Sequence, residues 1–251
     1  MITAQPVLEV HRLDGFSLWP AAFPQEPYVL LPLGADLSPA EVGAVVACLA
    51  DAHAEAPGAE ADPAAGTEAA PEPDGDPAGT FLRGLLAVGE DLHLAGGVRI
   101  ADTATGAVVD PGCCHGLQEW GTWREFAAGS ASCSGWFGHS PTPEARLDGG
   151  TVRLTADTDS AASPVIELPL PELHRLLDGV ADRLHGFLAR VRDWAAHQAP
   201  AHAAPLYAVL AAALFPPIPG KHVVGDGAAG VASGSRQAAT GRPPRTERAV
   251  P

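Results

Sequence analysis

Residues 171–198 read PELHRLLDGVADRLHGFLARVRDWAAHQ, and apolar side chains recur in this stretch at intervals of three and four residues. This spacing predicts an amphipathic helix from Pro171 to about Gln198, apolar on one face and charged on the other. The apolar stripe is wide enough to cover a sheet. Its members are Leu173, Leu176, Leu177, Val180, Leu184, Phe187, Leu188, Val191 and Trp194.

Upstream of this helix the apolar pattern changes to a period of two. Short stretches with apolar residues flank turn-forming residues at 102–106 and again at 148–150, which predicts two β-hairpins, with a last strand at 165–168. Three shorter helices are predicted at 39–53, 80–93 and 117–127. The first begins with a capping box, Ser38-Pro39-Ala40-Glu41. The predicted fold class is therefore α+β: a small antiparallel sheet built from hairpins, with the long C-terminal helix packed across it.

Charge and composition divide the chain of 251 residues into segments. Residues 1–54 and 80–198 are predicted to form a single globular α+β domain. Residues 55–79 are acidic and rich in Ala, Pro and Gly, which predicts a disordered acidic loop, because such a segment buries too little apolar area to offset its ordering entropy. Residues 199–220 form an Ala/Pro-rich appendage that either docks on the domain or binds a partner, and residues 221–251 form a disordered basic tail.

The formal net charge of -15 disfavours nucleic acid as a partner, because binding to phosphates is driven by basic side chains. Neither a signal-peptide pattern nor an apolar run long enough to span a membrane is apparent. The sequence therefore predicts a cytoplasmic protein, in which the four cysteines are thiols or metal ligands rather than disulfides.

One group of residues combines several metal-ligating side chains. It consists of Cys113, Cys114, His115, Cys133 and His139, and a zinc ion would take four of these thiolate and imidazole ligands. The spacing matches no familiar zinc pattern, so structural burial of the cysteines is the alternative. Thiol chemistry with His115 or His139 as the base is a further alternative, as is a strained disulfide between Cys113 and Cys114.

Two catalytic fingerprints are incomplete. The segment Gly138–Thr142 begins like a nucleophile elbow, but proline follows the serine and cannot donate an N–H to an oxyanion hole. The segment Gly225–Gly230 matches G-x-G-x-x-G, but too few residues follow it for a dinucleotide-binding unit.

The segment DPGCCHGLQEW at 110–120, together with Trp123, GHSP at 138–141 and the Glu167-Leu168-Pro169 lead into the last helix, resembles a family of actinobacterial proteins. These proteins share a PGCC-x-GL-x-x-W segment, a GH-x-P turn and a closing amphipathic helix. The resemblance covers about residues 7–50 and 80–198, and it implies no activity, substrate or catalytic residue.

The leading functional hypothesis is a soluble binding or accessory protein, similar in role to an immunity or regulatory module, whose acidic surface engages a basic protein partner. The alternative is a small zinc protein that uses Cys113, Cys114, His115, Cys133 and His139. An enzyme without a familiar motif is the third hypothesis. No cofactor other than zinc is predicted.

Overall fold

The computed structural model describes residues 1–54, 75–129 and 134–216. They form an α+β structure with two antiparallel sheets, so the predicted fold class is confirmed. The predicted acidic loop lies almost wholly at 55–74, and the predicted basic tail lies at 221–251; both ranges are outside the described residues.

The first sheet has the strand order β2-β1-β3-β4. The long strand β1 lies inside this sheet and pairs on one side with β2 and on the other with β3, so that Leu8 lies opposite both Leu31 and Gly96. Sequence analysis predicted the β3-β4 hairpin but missed β1 and β2. The strands are β1 (Ile2–His11), β2 (Tyr28–Pro32), β3 (Gly96–Asp102) and β4 (Ala107–Val109).

The second sheet is a meander in the order β5-β6-β7-β8. Its central hairpin is the one predicted around residues 148–150, with Leu147 opposite Val152 and Asp148 opposite Thr151. Gly149 and Gly150 have positive φ in this turn, as a tight connection between two strands requires. The strands are β5 (Ser134–Trp136), β6 (Glu144–Asp148), β7 (Thr151–Thr155) and β8 (Val165–Pro169).

The described part of the chain contains five α-helices. The capping box predicted at the start of α1 is present, because Ser38 Oγ accepts from the Glu41 N–H while the Glu41 carboxylate accepts from the Ser38 N–H. The helices are α1 (Pro39–Ala52), α2 (Pro77–Ala87), α3 (Gly121–Ala127), α4 (Leu170–Gln198) and α5 (Ala203–Leu214).

Helix α4 packs against strands of both sheets. Every apolar residue predicted on its stripe is buried, from Leu173 to Trp194. This face packs on β1 of the first sheet and on β7 and β8 of the second, and α1, α3 and α5 also pack against the helix. The predicted packing of the long helix is therefore confirmed, and the helix bridges two sheets rather than covering one.

The predicted boundaries at 79 and 199 differ from the structure. Helix α2 begins at Pro77, so the end of the predicted acidic loop is helical. Helix α5 lies within the predicted appendage and buries Leu206, Leu210 and Leu214, packing against α4. Residues 203–214 therefore dock on the domain, with their short apolar stripe buried there. Among the described residues, no helix has the length and apolar character that crossing a bilayer requires.

Asp76, the N-cap residue of α2, contacts His202, which directly precedes α5. Its carboxylate accepts from the Gly79 N–H at 2.9 Å and lies 2.6 Å from His202 Nε2. The Gly79 N–H, and secondly the contact with His202, hold the pKa of Asp76 below its usual value. A carboxyl group with a lowered native pKa stabilises the fold above its unfolded pKa of about 3.9, and this contribution is lost as the pH falls through the native pKa.

We therefore expect Asp76→Asn to lower the unfolding free energy at pH 7, and the difference from wild type to shrink as the pH falls below about 4. Urea unfolding of both proteins at a series of pH values measures this difference. A difference that stays constant down to pH 3 would contradict the assignment. Asp178→Asn, at an exposed surface carboxylate paired with Arg124, is the matched control.

Candidate metal centre

Two loops, one after β4 and the other after β5, meet and bring Cys113 beside His139. The Cys113 N–H donates to the His139 carbonyl at 2.8 Å, and the His139 N–H donates to the Cys113 carbonyl at 3.2 Å. The Gly112 N–H donates to the Phe137 carbonyl at 3.0 Å. This short antiparallel pairing fixes the separation of two residues that lie 26 positions apart in the sequence.

The contact between the loops requires glycine on both sides. A Cβ atom on Gly112 would collide with backbone atoms of Gly138, His139 and Pro141. A Cβ atom on Gly138, whose φ is +103°, would lie 2.6 Å from the carbonyl oxygen of Cys113. Glycine is the only residue that permits so close a backbone approach, so the glycines of the PGCC and GHSP segments are structural requirements of the site.

Three potential ligand atoms converge where the loops meet. Cys113 Sγ lies 2.7 Å from His139 Nδ1 and 3.9 Å from Cys114 Sγ. The ligand atoms of Cys113, Cys114 and His139 all lie within 4.8 Å of one another, and all three residues are exposed. The structure thus brings together three of the five residues predicted from the sequence.

Cys114 joins the group because its backbone is left-handed. Consecutive side chains of an extended segment point to opposite faces, so Cys113 and Cys114 would normally point apart. The φ of Cys114 is 63°, in a region that residues other than glycine seldom adopt. With this backbone conformation at Cys114, the Sγ atoms of both cysteines lie on the same side of the chain.

The two cysteines lie on the wall of a cleft of about 290 Å³. The first sheet contributes Glu9 and the exposed ring of Tyr28 to this cleft, and Ser140 and Pro141 come from the loop that follows His139. The cleft offers an entry path for an ion or a small ligand. Sequence analysis missed the walls supplied by β1 and β2 because it did not predict those strands.

The free thiols differ in their surroundings. Loss of hydration, and secondly the neighbouring thiol of Cys114, raise the pKa of Cys113 above its ordinary value. Cys48 lies in α1, where it is buried and its thiol donates to the His11 carbonyl at 3.3 Å. Burial also raises the pKa of Cys48, so this thiol is a structural one.

His115 is not part of the cluster, although it follows Cys114 directly. Its side chain is 4% exposed, and its Nδ1 lies 3.1 Å from a carboxylate oxygen of Glu119. Its ring contacts Phe137 edge to face. Burial lowers the pKa of His115 and the Glu119 carboxylate partly opposes this effect, so the neutral ring donates its Nδ1 proton to Glu119. Its Nε2 is buried and has no hydrogen-bond partner among the described residues.

The prediction of His115 as a ligand is therefore not supported by its position, because packing in the core holds the ring apart from the three exposed side chains. Cys133, the remaining predicted ligand, lies outside the described residues. Sequence spacing places His115 next to the cysteines, but it does not reveal that the chain turns the imidazole inward at this point.

The loop that carries His139 is anchored to the core. Phe137 stacks on Trp123 of α3, with ring centroids 3.7 Å apart and an interplanar angle of 8°. Both rings are buried. Trp136, in contrast, is 53% exposed. Trp120 and Trp123 are therefore part of the core, whereas Trp136 is not.

Comparison with family models, with curated proteins and with solved structures finds no match to this chain. The function proposed for the cluster therefore depends on its geometry and its chemistry.

Proposed function

We propose that this protein binds a thiophilic metal ion, zinc in the first place, through Cys113, Cys114 and His139. The observation that supports the proposal is the convergence of three ligand atoms of the described residues within 4.8 Å of one another. Thiolate and imidazole ligands favour zinc over magnesium or calcium, which prefer oxygen ligands.

The distances are compatible with zinc after a small adjustment. Two thiolates bound at about 2.3 Å to a tetrahedral zinc ion lie about 3.8 Å apart. The two sulfur atoms are already separated by 3.9 Å. A sulfur and an imidazole nitrogen on the same ion lie about 3.5 Å apart, whereas Cys113 Sγ and His139 Nδ1 are 2.7 Å apart. The ion would therefore replace this contact and move the exposed imidazole outward.

Three protein ligands leave one position of a tetrahedral ion for another donor. Three protein ligands plus one exchangeable ligand is typical of zinc sites that bind or activate a small molecule, whereas structural zinc sites have four protein ligands. Cys133, the fourth ligand predicted from the sequence, and a water molecule from the cleft are the two candidates for that position.

Titration of the metal-free, full-length chain with zinc and cobalt tests the proposal. We expect saturation at about one ion per chain, with cobalt giving the visible absorption of a tetrahedral ion and a sulfur-to-metal charge-transfer band. Zinc should also protect Cys113 and Cys114 from alkylation. The absence of saturable binding, or equal alkylation of both cysteines with and without zinc, would refute the proposal.

The binding or accessory role predicted from the charge stays a prediction. The acidic segment at 55–79 and the basic tail at 221–251, on which it depends, lie largely outside the described residues.

A further inference from the structure

Cys113 and Cys114 are neighbouring free thiols, and both are exposed at the cleft. Their sulfur atoms are 3.9 Å apart, whereas a disulfide bond has a length of about 2.05 Å. The sulfur atoms would have to approach by about 1.9 Å, which is within the reach of side-chain rotation in an exposed pair. Cys48 is buried in α1 and has no such neighbour among the described residues.

Cys114 has a left-handed backbone conformation, and its sulfur atom lies next to that of Cys113. An extended chain would not bring the two sulfur atoms together. With ordinary strand geometry the two side chains would point to opposite faces, and no bond between them would form. Here the Cys114 thiol faces the Cys113 sulfur, and the pairing of Cys113 with His139 holds the first of the two residues in place. The two sulfur atoms are therefore positioned for reaction with each other.

We propose that Cys113 and Cys114 form a reversible redox-modification site, which hydrogen peroxide oxidises to a vicinal disulfide. One thiol attacks the peroxide, the O–O bond breaks, and a sulfenic acid and a water molecule form. The second thiol then displaces the sulfenic hydroxyl group, which leaves as a second water molecule. In total two S–H bonds and one O–O bond break, one S–S bond and two O–H bonds form, and the peroxide is reduced by two electrons.

The disulfide should be easily reduced. Neighbouring Cα atoms are about 3.8 Å apart, below the range of about 4.4–6.8 Å in ordinary disulfides. Strained and exposed disulfides are more reducible than relaxed ones, and they are the kind that act reversibly. A dithiol reductant should therefore restore both thiols.

The effect of this oxidation on a bound metal ion rests on the proposed function, which is zinc binding by the same two cysteines. Oxidation converts two of the three ligands into a disulfide, whose sulfur atoms carry no negative charge and bind zinc weakly. Zinc bound at this site should therefore be released when the disulfide forms, and it should bind again after reduction.

Peroxide treatment of the metal-free, full-length chain tests the modification itself. Alkylation followed by peptide mass spectrometry should show the loss of two hydrogen atoms from the peptide that contains Cys113 and Cys114, with recovery after dithiothreitol. Cys48→Ser should behave like wild type, and Cys114→Ser should stop at oxidised forms of Cys113 without a disulfide in this peptide. A disulfide to Cys133 or Cys48 instead, or only irreversible sulfinic acid, would overturn the proposal.

Peroxide treatment of the zinc-loaded chain tests the consequence, with a chromogenic chelator to measure released zinc. We expect about one zinc ion per disulfide formed. Retention of zinc by a chain that has acquired the disulfide would overturn the coupling. If the disulfide forms but the metal-free chain never binds zinc, the proposed function fails while the modification site stands, so the two failures are distinguishable.

Discussion

The variant His139→Ala is expected to bind Zn²⁺ at least about 100-fold more weakly than wild type. Removing a hydrogen-bond partner of a metal ligand already weakens binding by about 10- to 100-fold, and His139 supplies one of the three ligand atoms of the described cluster. Cys113→Ser and Cys114→Ser should cause losses of at least the same size, because a serine hydroxyl is a poor ligand for a thiophilic ion. Competition with a chelator of known affinity measures each loss.

Matched controls separate the loss of a ligand from a general effect on the fold. Cys48→Ser removes a thiol that lies in α1, and His197→Ala removes an exposed imidazole from α4. Both controls should retain zinc binding within about threefold, since neither side chain is near the cluster. Unchanged binding by His139→Ala would contradict the proposed site.

Gly112→Ala tests whether the loop contact positions the ligands. The variant keeps every candidate ligand, but its added methyl group would collide with the backbone of the loop around His139. We expect this variant to bind zinc more weakly than wild type, although its candidate ligands are unchanged. Gly121→Ala is a useful comparison for the effect on stability alone, since Gly121, like Gly112, does not have a positive φ but has open space around it. If Gly112→Ala bound zinc like wild type, the contact between the loops would not be the positioning element.

The second large effect is expected in the core behind the site. Trp123→Ala should lower the unfolding free energy by about 3–5 kcal/mol, because it removes a large buried ring and leaves a cavity. Trp123 is 2% exposed and stacks on Phe137, which follows Trp136 and lies two residues before His139. Chemical denaturation followed by far-UV circular dichroism, in the presence of a chelator, measures the change without a contribution from bound metal.

Trp136→Ala is the matched control, since it removes the same side chain from a position that is 53% exposed. Its cost should be about 1 kcal/mol or less, because little area is buried there. Equal costs for the two variants would show that the stacked pair of Trp123 and Phe137 is not a central part of the core.

Elements with strong local signals were predicted well. The stripe of α4, the capping box of α1 and the hairpin of β6 and β7 depend on neighbouring residues, so their patterns are visible within a short window. Strands β1 and β2 were missed. In β1 the buried residues Pro6, Val7 and Leu8 are consecutive, which obscures the alternation expected of a strand with one buried face.

The amino-acid sequence alone determined the α+β class, the long helix and the residue types from which a metal site could be built, because each of these depends on composition or on local periodicity. Tertiary structure decided which of those residues meet. Gly112 and Gly138 allow two loops that are distant in the sequence to touch. Cys114 has a left-handed backbone conformation and lies next to Cys113, and packing in the core turns His115 inward. Convergence of side chains from separate loops depends on distances set by the packing of the whole domain, which no pattern along a single segment contains.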